Sequence, residues 1–258
     1  MKSSSKILYG LLAVALGAWT LSACTNRMPS GPSYPANPPD YTTVVNFDNG
    51  TALTNPTLFH SVPGSQAVTL GGVSGLGPVT TISTPPAGDS SPDAAHIIDL
   101  FTDLGNGVYP SSQFRIHFTA SGYYNLSYFS GIKFMYNVTP PNASQGILGD
   151  DSLVRRFGFA VAQTVPFGDP DGGGTCDNSN NGCYNNFGAM LDNTNGAWAS
   201  KSYQFSDLTR ESFGNSVSPP SFSGVNLQQV IRLVFEFKRN NSAGVCHVDY
   251  WVDSVELY

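Results

Sequence analysis

Two cysteines, Cys176 and Cys183, lie in the polar stretch "GGGTCDNSNNGCYNNFG", with six residues between them. Paired thiols can form a disulfide, hold a metal or exchange electrons. A zinc site needs further ligands, and no Cys-x-x-Cys or His-x-x-x-His partner accompanies them. A redox pair would favour the tighter Cys-x-x-Cys spacing. The choice depends on the compartment in which the chain resides.

The amino-terminal stretch predicts export. Lys2 and Lys6 precede an apolar run over 7–21, which is too short to span a bilayer comfortably and is typical of a signal peptide. The run ends in "LSAC", which resembles the lipobox of bacterial lipoproteins. That resemblance implies cleavage after residue 23 and lipidation of Cys24. A membrane helix, or a cysteine present by chance, is the alternative.

Residues 24–41 are rich in Pro, Ser and Asn and predict a flexible tether, leaving 42–258 as one domain. We therefore expect a protein of the bacterial cell envelope, anchored by lipid at the outer membrane or cell surface. Thiols pair in such an oxidising compartment, so Cys176 and Cys183 are predicted to form a disulfide. Cys246 is then a buried free thiol, and its pairing with a loop cysteine is the alternative.

The composition limits the classes of partner. Lys and Arg number 12 against 18 Asp and Glu, and no basic run occurs, so nucleic-acid binding is not expected. Charged residues are only 12% of the chain, whereas Gly numbers 27 and Pro 18. Many turns and few exposed helices follow from this composition.

Alternation of apolar and polar residues recurs along the domain and predicts strands with one buried face. No amphipathic helix of three turns is evident. We predict an all-β fold, a two-sheet antiparallel jelly-roll β-sandwich. The alternating segments are "QFRIHFTAS", "SGIKFMYNV", "RRFGFAVAQT", "KSYQFSDL", "VIRLVFEFKR" and "CHVDYWVDSVELY".

The order of four motifs resembles the family 11 type of carbohydrate-binding module, within the galactose-binding-like sandwiches. The motifs are "VVNFDNG", "YFSGIKFMYNV", "WASKSYQFSDLTRESFGN" and "VDYWVDSVELY". The resemblance implies binding of a polysaccharide or other glycan. It also implies a structural Ca²⁺ where the first and last strands meet, with Asp48, Asp253 and Glu256 as candidate ligands.

Sugar binding requires aromatic rings for the C–H faces and fixed polar groups for the hydroxyls. We expect Arg115 and His117 to lie side by side on one polar sheet face, with Lys133 across from them. Such polar residues are also what any solvated sheet face carries. The full set of predicted ligand-binding residues is Arg115, His117, Lys133, Asn137, Tyr184, Gln204 and Glu236.

Catalysis is not expected. A glycosidase needs two opposed carboxylates in a cleft, and acidic residues are few and lie mostly in turns. No Gly-x-Ser-x-Gly elbow occurs, and the four histidines show no metal-binding spacing. The sequence favours a monomeric, non-catalytic glycan-binding lipoprotein. The alternative is a structural or adhesion lipoprotein of the envelope that uses the sandwich for protein contacts.

Overall fold

The chain forms two antiparallel β-sheets that stack face to face, which confirms the predicted all-β sandwich. The computed structural model describes residues 42–45, 56–59, 79–89, 93–103, 111–118, 122–138, 153–169, 172–179, 182–239 and 244–258.

Each sheet has six strands among the described residues. The strands are β1 (Thr42–Val45), β2 (Pro56–Phe59), β3 (Val79–Ser83), β4 (Ala94–Asp103), β5 (Ser111–His117), β6 (Gly131–Val138), β7 (Leu153–Val161), β8 (Phe187–Met190), β9 (Ala199–Gln204), β10 (Thr209–Arg210), β11 (Val230–Arg239) and β12 (Gly244–Leu257). Sheet A has the order β3-β4-β12-β6-β9, with β1 paired to the end of β12, and sheet B has the order β10-β8-β7-β11-β5-β2. The long strands β12 and β11 therefore lie in the middle of their sheets.

Aromatic side chains fill the space between the sheets. Phe157 of sheet B packs on Phe134 and Tyr203 of sheet A, with ring centroids 5.0 and 4.8 Å apart. Phe237 of β11 stacks on Tyr250 of β12 at 4.0 Å. Rings that cross from one sheet to the other hold the layers together through apolar burial and edge-to-face contacts. The alternating pattern predicted this inward face in β5, β6, β7 and β9.

Two irregularities change the alternation. The pairing of β11 with β7 shifts between Val230 and Arg232. Val230 enters the main core, whereas Ile231 packs with Val234 in a second cluster outside sheet B. The expectation that Ile231 shares a face with Leu233 is therefore wrong, because a bulge places an extra residue in the strand.

A similar irregularity lies in β12, where the pairing with β6 shifts between Asp253 and Glu256 and Ser254 has a φ of 50°. Val252 and Val255 consequently both face the core, although residues three positions apart in a regular strand lie on opposite faces.

Helical structure is confined to single turns in the described part of the chain. The one α-helical turn is α1 (Val225–Gln228), and 3-10 turns span Ala162–Thr164 and Phe205–Asp207. None of the described helices is long and apolar enough to cross a membrane.

The predicted signal peptide, lipidated Cys24, the tether and Asp48 lie outside the described residues.

Candidate functional site

The predicted ligand-binding residues are divided between the outer faces of the two sheets. Arg115 and His117 on β5 share the outer face of sheet B with Glu236 on β11. Lys133, Asn137 and Gln204 belong to β6 and β9 of sheet A, and Tyr184 lies in the disulfide loop. The expectation that Lys133 lies across from Arg115 is wrong, because β6 pairs with β12 and β9 and not with β5.

Sheet B carries a shallow depression on its outer face, in which the side chains leave no space for a water-sized group. Gly158 of β7 is paired with Val234 of β11 on one side and with Gly188 of β8 on the other. Two glycines in one row leave a gap in the layer of side chains. Gly188 is also required sterically, because a Cβ there would overlap the Phe157 carbonyl oxygen. The residues that line the depression are Arg156, Phe157, Gly158, Asn186, Glu211, Val234 and Glu236.

A polar network crosses this face from β5 to the segment after β10. Arg115 donates from Nε and Nη2 to Gln113 Oε1, at 3.0 and 2.8 Å. Gln113 in turn donates to Glu236 Oε1 at 2.8 Å. Lys238 Nζ lies 2.7 Å from Glu211 Oε2 and 3.5 Å from Glu236 Oε2. One ammonium group thus joins both carboxylates that face the depression.

Arg156 and Glu211 leave a gap in this network. Arg156 Nη2 donates to the carbonyl oxygens of Asn186 and Thr209. Its Nε lies 3.7 Å from Glu211 Oε1, and neither of these two buried atoms has a hydrogen-bond partner among the described residues. Buried polar atoms are nearly always paired in native proteins. A group that both donates and accepts, such as a hydroxyl, matches this pair.

The electrostatics of the depression follow from burial. Burial raises the pKa of the Glu211 carboxyl, and the charge of Glu236 raises it further, against the opposing effect of Lys238. Burial lowers the pKa of Lys238, but the charges of Glu236 and Glu211 outweigh it, so the pKa lies above its ordinary value. Burial also lowers the pKa of Arg156 below its ordinary value, against the raising effect of the Glu211 and Glu236 charges.

Substitution of Glu211 by Gln removes the titration of this carboxyl. Because its pKa is raised by folding, the folded wild type keeps a proton that the unfolded chain has lost, once the pH exceeds about 4.3. The wild type should therefore lose stability relative to Glu211→Gln as the pH rises through the folded-state pKa. Urea unfolding of both proteins across this pH range measures the difference in free energy. A difference that does not vary with pH contradicts the burial of Glu211.

An exposed aromatic ring lies beyond Lys238. Phe213 is 42% exposed, and Lys238 Nζ lies 5.5 Å from the centroid of its ring. Lys238 contacts Glu211, which lines the depression, so one side chain connects the ring to the depression. Lys238 thus contacts both a flat apolar surface and a carboxylate of the depression.

On the outer face of sheet A, Lys133 and Asn137 already interact with other groups of the protein. Lys133 Nζ lies 2.9 Å from Glu256 Oε2, and buried Asn137 donates to the Gly196 carbonyl at 2.9 Å. Gln204 is exposed.

Of the two tryptophans in the described part of the chain, Trp251 offers no open platform, whereas Trp198, directly before β9, is half-buried. Trp251 is 8% exposed and stacks on His96 with a centroid distance of 3.7 Å. His96 Nε2 lies 2.8 Å from Asp249 Oδ1. Trp198 donates its indole N–H to the Pro86 carbonyl.

The proposed calcium ligands are not assembled by the described residues alone. Asp253 is fully buried and accepts a hydrogen bond from Ser254 Oγ at 3.2 Å, and Glu256 is paired with Lys133. In the described ranges, no group of three or more His, Cys, Asp or Glu side chains is placed to hold a metal. The calcium site depends on Asp48 and stays a prediction.

The disulfide between Cys176 and Cys183 is present, as the sequence predicted. Tyr184 follows it, is 37% exposed and donates its N–H to the Thr164 carbonyl. Cys246 belongs to β12, and its side chain lies outside the described part of the chain.

Of the predicted ligand-binding residues, Glu236 lines the depression and Arg115 is connected to it through Gln113. The sequence patterns did not single out Arg156, Asn186, Glu211, Phe213 or Lys238. Arg156 and Lys238 alternate with core residues of β7 and β11, so the pattern contained a signal for both. Glu211 and Phe213 lie in an irregular segment with no periodic signal.

No protein-family model and no curated protein matches the chain. Solved structures that are similar at low identity include three carbohydrate-binding modules. The family 11 carbohydrate-binding module from Clostridium thermocellum, in complex with a β-1,3-1,4-mixed-linked tetrasaccharide, is 12% identical with a TM-score of 0.45, over 84% of this chain and 94% of that chain. A family 30 module of a cellulosomal cellulase of Clostridium thermocellum is 9% identical with a TM-score of 0.47, over 84% and 96%.

The third structure is the module CBM27-1 of Caldicellulosiruptor saccharolyticus in complex with mannohexaose. It is 11% identical with a TM-score of 0.41, over 84% of this chain and 96% of that chain. At these scores the similarity says nothing about the ligand of this chain. Evidence about the ligand has to come from the residues of the chain itself.

Proposed function

We propose that the domain binds a glycan without transforming it, at the depression on the outer face of sheet B. We further propose that lipid on Cys24 anchors the chain in a bacterial envelope. The observation that supports glycan binding most directly is the donor and acceptor pair of Arg156 Nε and Glu211 Oε1, which have no hydrogen-bond partner among the described residues. The exposed ring of Phe213, which Lys238 connects to Glu211, adds an apolar surface.

A sugar presents hydroxyls that both donate and accept, next to C–H faces that pack on aromatic rings. A hydroxyl that reaches these two groups after a small movement of their side chains would accept from Arg156 Nε and donate to Glu211 Oε1, which completes the hydrogen bonding of both buried atoms. The C–H face of the same or a neighbouring sugar then covers Phe213. Gln113 and Arg115 hold Glu236 in place, so the polar face is already ordered before binding.

The arrangement of carboxylates supports binding and not hydrolysis. Glycosidases place two carboxyl groups on opposite sides of the scissile bond. Glu211 and Glu236 both contact the ammonium of Lys238, so the same cation pairs with both carboxylates. Two carboxylates that share one countercharge fit a role in hydrogen bonding to a ligand better than the roles of acid and base.

Affinity electrophoresis of the full chain through gels containing β-glucan, xylan, mannan or peptidoglycan tests the proposed binding, after a glycan array has narrowed the choice. We expect retardation by at least one polymer. Mass spectrometry of the native amino terminus tests the anchor, and an acylated Cys24 is expected. Absence of retardation in every gel would favour the alternative, a structural or adhesion lipoprotein.

A further inference from the structure

The loop closed by the disulfide packs against the segment 211–217, which carries two residues of the proposed site. The N–H of Asn215 donates to the Gly182 carbonyl at 2.7 Å. The side-chain Nδ2 of Asn215 donates to the Asp177 carbonyl at 2.7 Å and lies 3.6 Å from Cys176 Sγ. One asparagine therefore contacts both ends of the disulfide loop.

The position of these two acceptors depends on the disulfide. Asp177 directly follows Cys176, and Gly182 directly precedes Cys183. The covalent bond thus fixes the spacing between the two carbonyls that hold Asn215. The fit is close, because a Cβ at Gly182 would overlap the Asn215 side chain.

A second asparagine, Asn185, also holds the segment 211–217. Asn185 is fully buried, and its Nδ2 donates to the Phe213 carbonyl at 2.9 Å and to the Asn215 carbonyl at 3.1 Å. Asn185 lies two residues after Cys183, so it too is attached to the disulfide loop. The guanidinium of Arg210 also donates to the Asn215 carbonyl. These contacts fix the backbone on both sides of Gly214.

We propose that the disulfide loop, acting through Asn215 and Asn185, is the positioning element for Phe213 and Glu211 at the glycan-binding rim. The proposal rests on the proposed function for its effect on affinity. Loss of the disulfide releases the Asp177 and Gly182 carbonyls from their fixed spacing, so the segment 211–217 samples other conformations. Ordering it again opposes ligand binding. Asn215, Asn185 and the two cysteines act through Phe213 and Glu211 and need not touch the sugar.

A dithiol reagent breaks the Cys176–Cys183 disulfide of the native protein without any substitution. Two electrons and two protons convert the Cys176–Cys183 bond to two thiols, and the reagent becomes a cyclic disulfide. We expect reduced protein to bind glycan less tightly than oxidised protein.

The test compares wild type with Asn215→Ala and with the double variant Cys176→Ala/Cys183→Ala, in the full chain. Asn193→Ala, which removes an asparagine from the turn between β8 and β9, is the matched control. Hydrogen exchange of the segment 211–217 is measured by mass spectrometry, and glycan affinity by electrophoresis. We expect exchange in that segment to rise roughly tenfold in both test variants and affinity to fall by a similar factor, with no change in the control.

The two readouts separate the failure of this proposal from the failure of the proposed function. Unchanged exchange in the test variants overturns the positioning role, whether or not a glycan binds. Raised exchange with undiminished glycan affinity also overturns it, since the rim then does not need its fixed position. If exchange rises and wild type binds no glycan, the positioning of Phe213 is upheld and the proposed function is overturned. If hydrogen exchange rises in all strands of the double cysteine variant, that variant is unfolded as a whole and cannot report on the segment 211–217. The result for Asn215→Ala, which keeps the disulfide, then decides whether the positioning role holds.

Discussion

Substitution of Asp169 by alanine is expected to lower the free energy of unfolding by about 3–5 kcal/mol, the usual effect of removing one partner from a buried ion pair. Asp169 accepts two hydrogen bonds from Arg232, at 3.0 and 3.3 Å, and both side chains are almost fully buried. Without the carboxylate, the guanidinium of Arg232 stays in a low-dielectric site and loses the countercharge of Asp169. Urea denaturation of the purified protein measures the loss.

Asp192→Ala is the matched control, because Asp192 forms an exposed ion pair with Lys201 at 2.6 Å and is 78% exposed. Exposed pairs contribute at most about 1 kcal/mol. The double substitution Asp169→Leu/Arg232→Met should recover much of the loss, since apolar replacement of a buried pair is often neutral. Equal losses for Asp169→Ala and Asp192→Ala would contradict the burial of the Arg232 pair.

Removal of the ring of Phe213 is expected to weaken glycan binding about tenfold or more, as for an aromatic residue that dominates an interface. The ring is 42% exposed, so its truncation should change stability by no more than about 0.5 kcal/mol. A loss of affinity would then report the missing stacking surface and not unfolding. Affinity electrophoresis in the polymer that retards wild type measures the effect, with urea denaturation of the same sample.

Phe167→Ala removes the same side chain from a position that is 87% exposed in the loop after β7, and it should bind like wild type. Phe213→Tyr keeps a ring and should retain most of the affinity. If Phe213→Ala binds glycan as tightly as wild type, the Phe213 ring takes no part in binding. The proposed site would then rest on Arg156 and Glu211 alone.

The sequence predicted the strands and their inward faces because alternation is a local property. Phe114 and Ile116, or Phe157 and Phe159, are marked as core by their own neighbours in the chain. The bulge that moves Ile231 out of the main core comes from pairing with β7, so no pattern within β11 shows it. The same holds for Ser254, where the shift in β12 is defined by β6.

The candidate site was harder to predict from the sequence than the strands were, because it depends on which strands are neighbours in a sheet. Arg115 and Lys133 look equivalent in the pattern, yet they lie in different sheets. Glu211 reaches the depression from an irregular segment that the disulfide loop holds in place through Asn215. Long-range contacts of this kind leave no periodic signal in the residues themselves.

The central place of β11 and β12 has a consequence for the order in which the domain can be assembled. β5 and β7 become neighbours only through β11, and β4 and β6 only through β12. These two strands come after all the others in the chain, so neither layer is complete while synthesis or translocation is still short of residue 230. An emerging polypeptide therefore exposes unpaired strand edges until late, and chains in that state tend to aggregate.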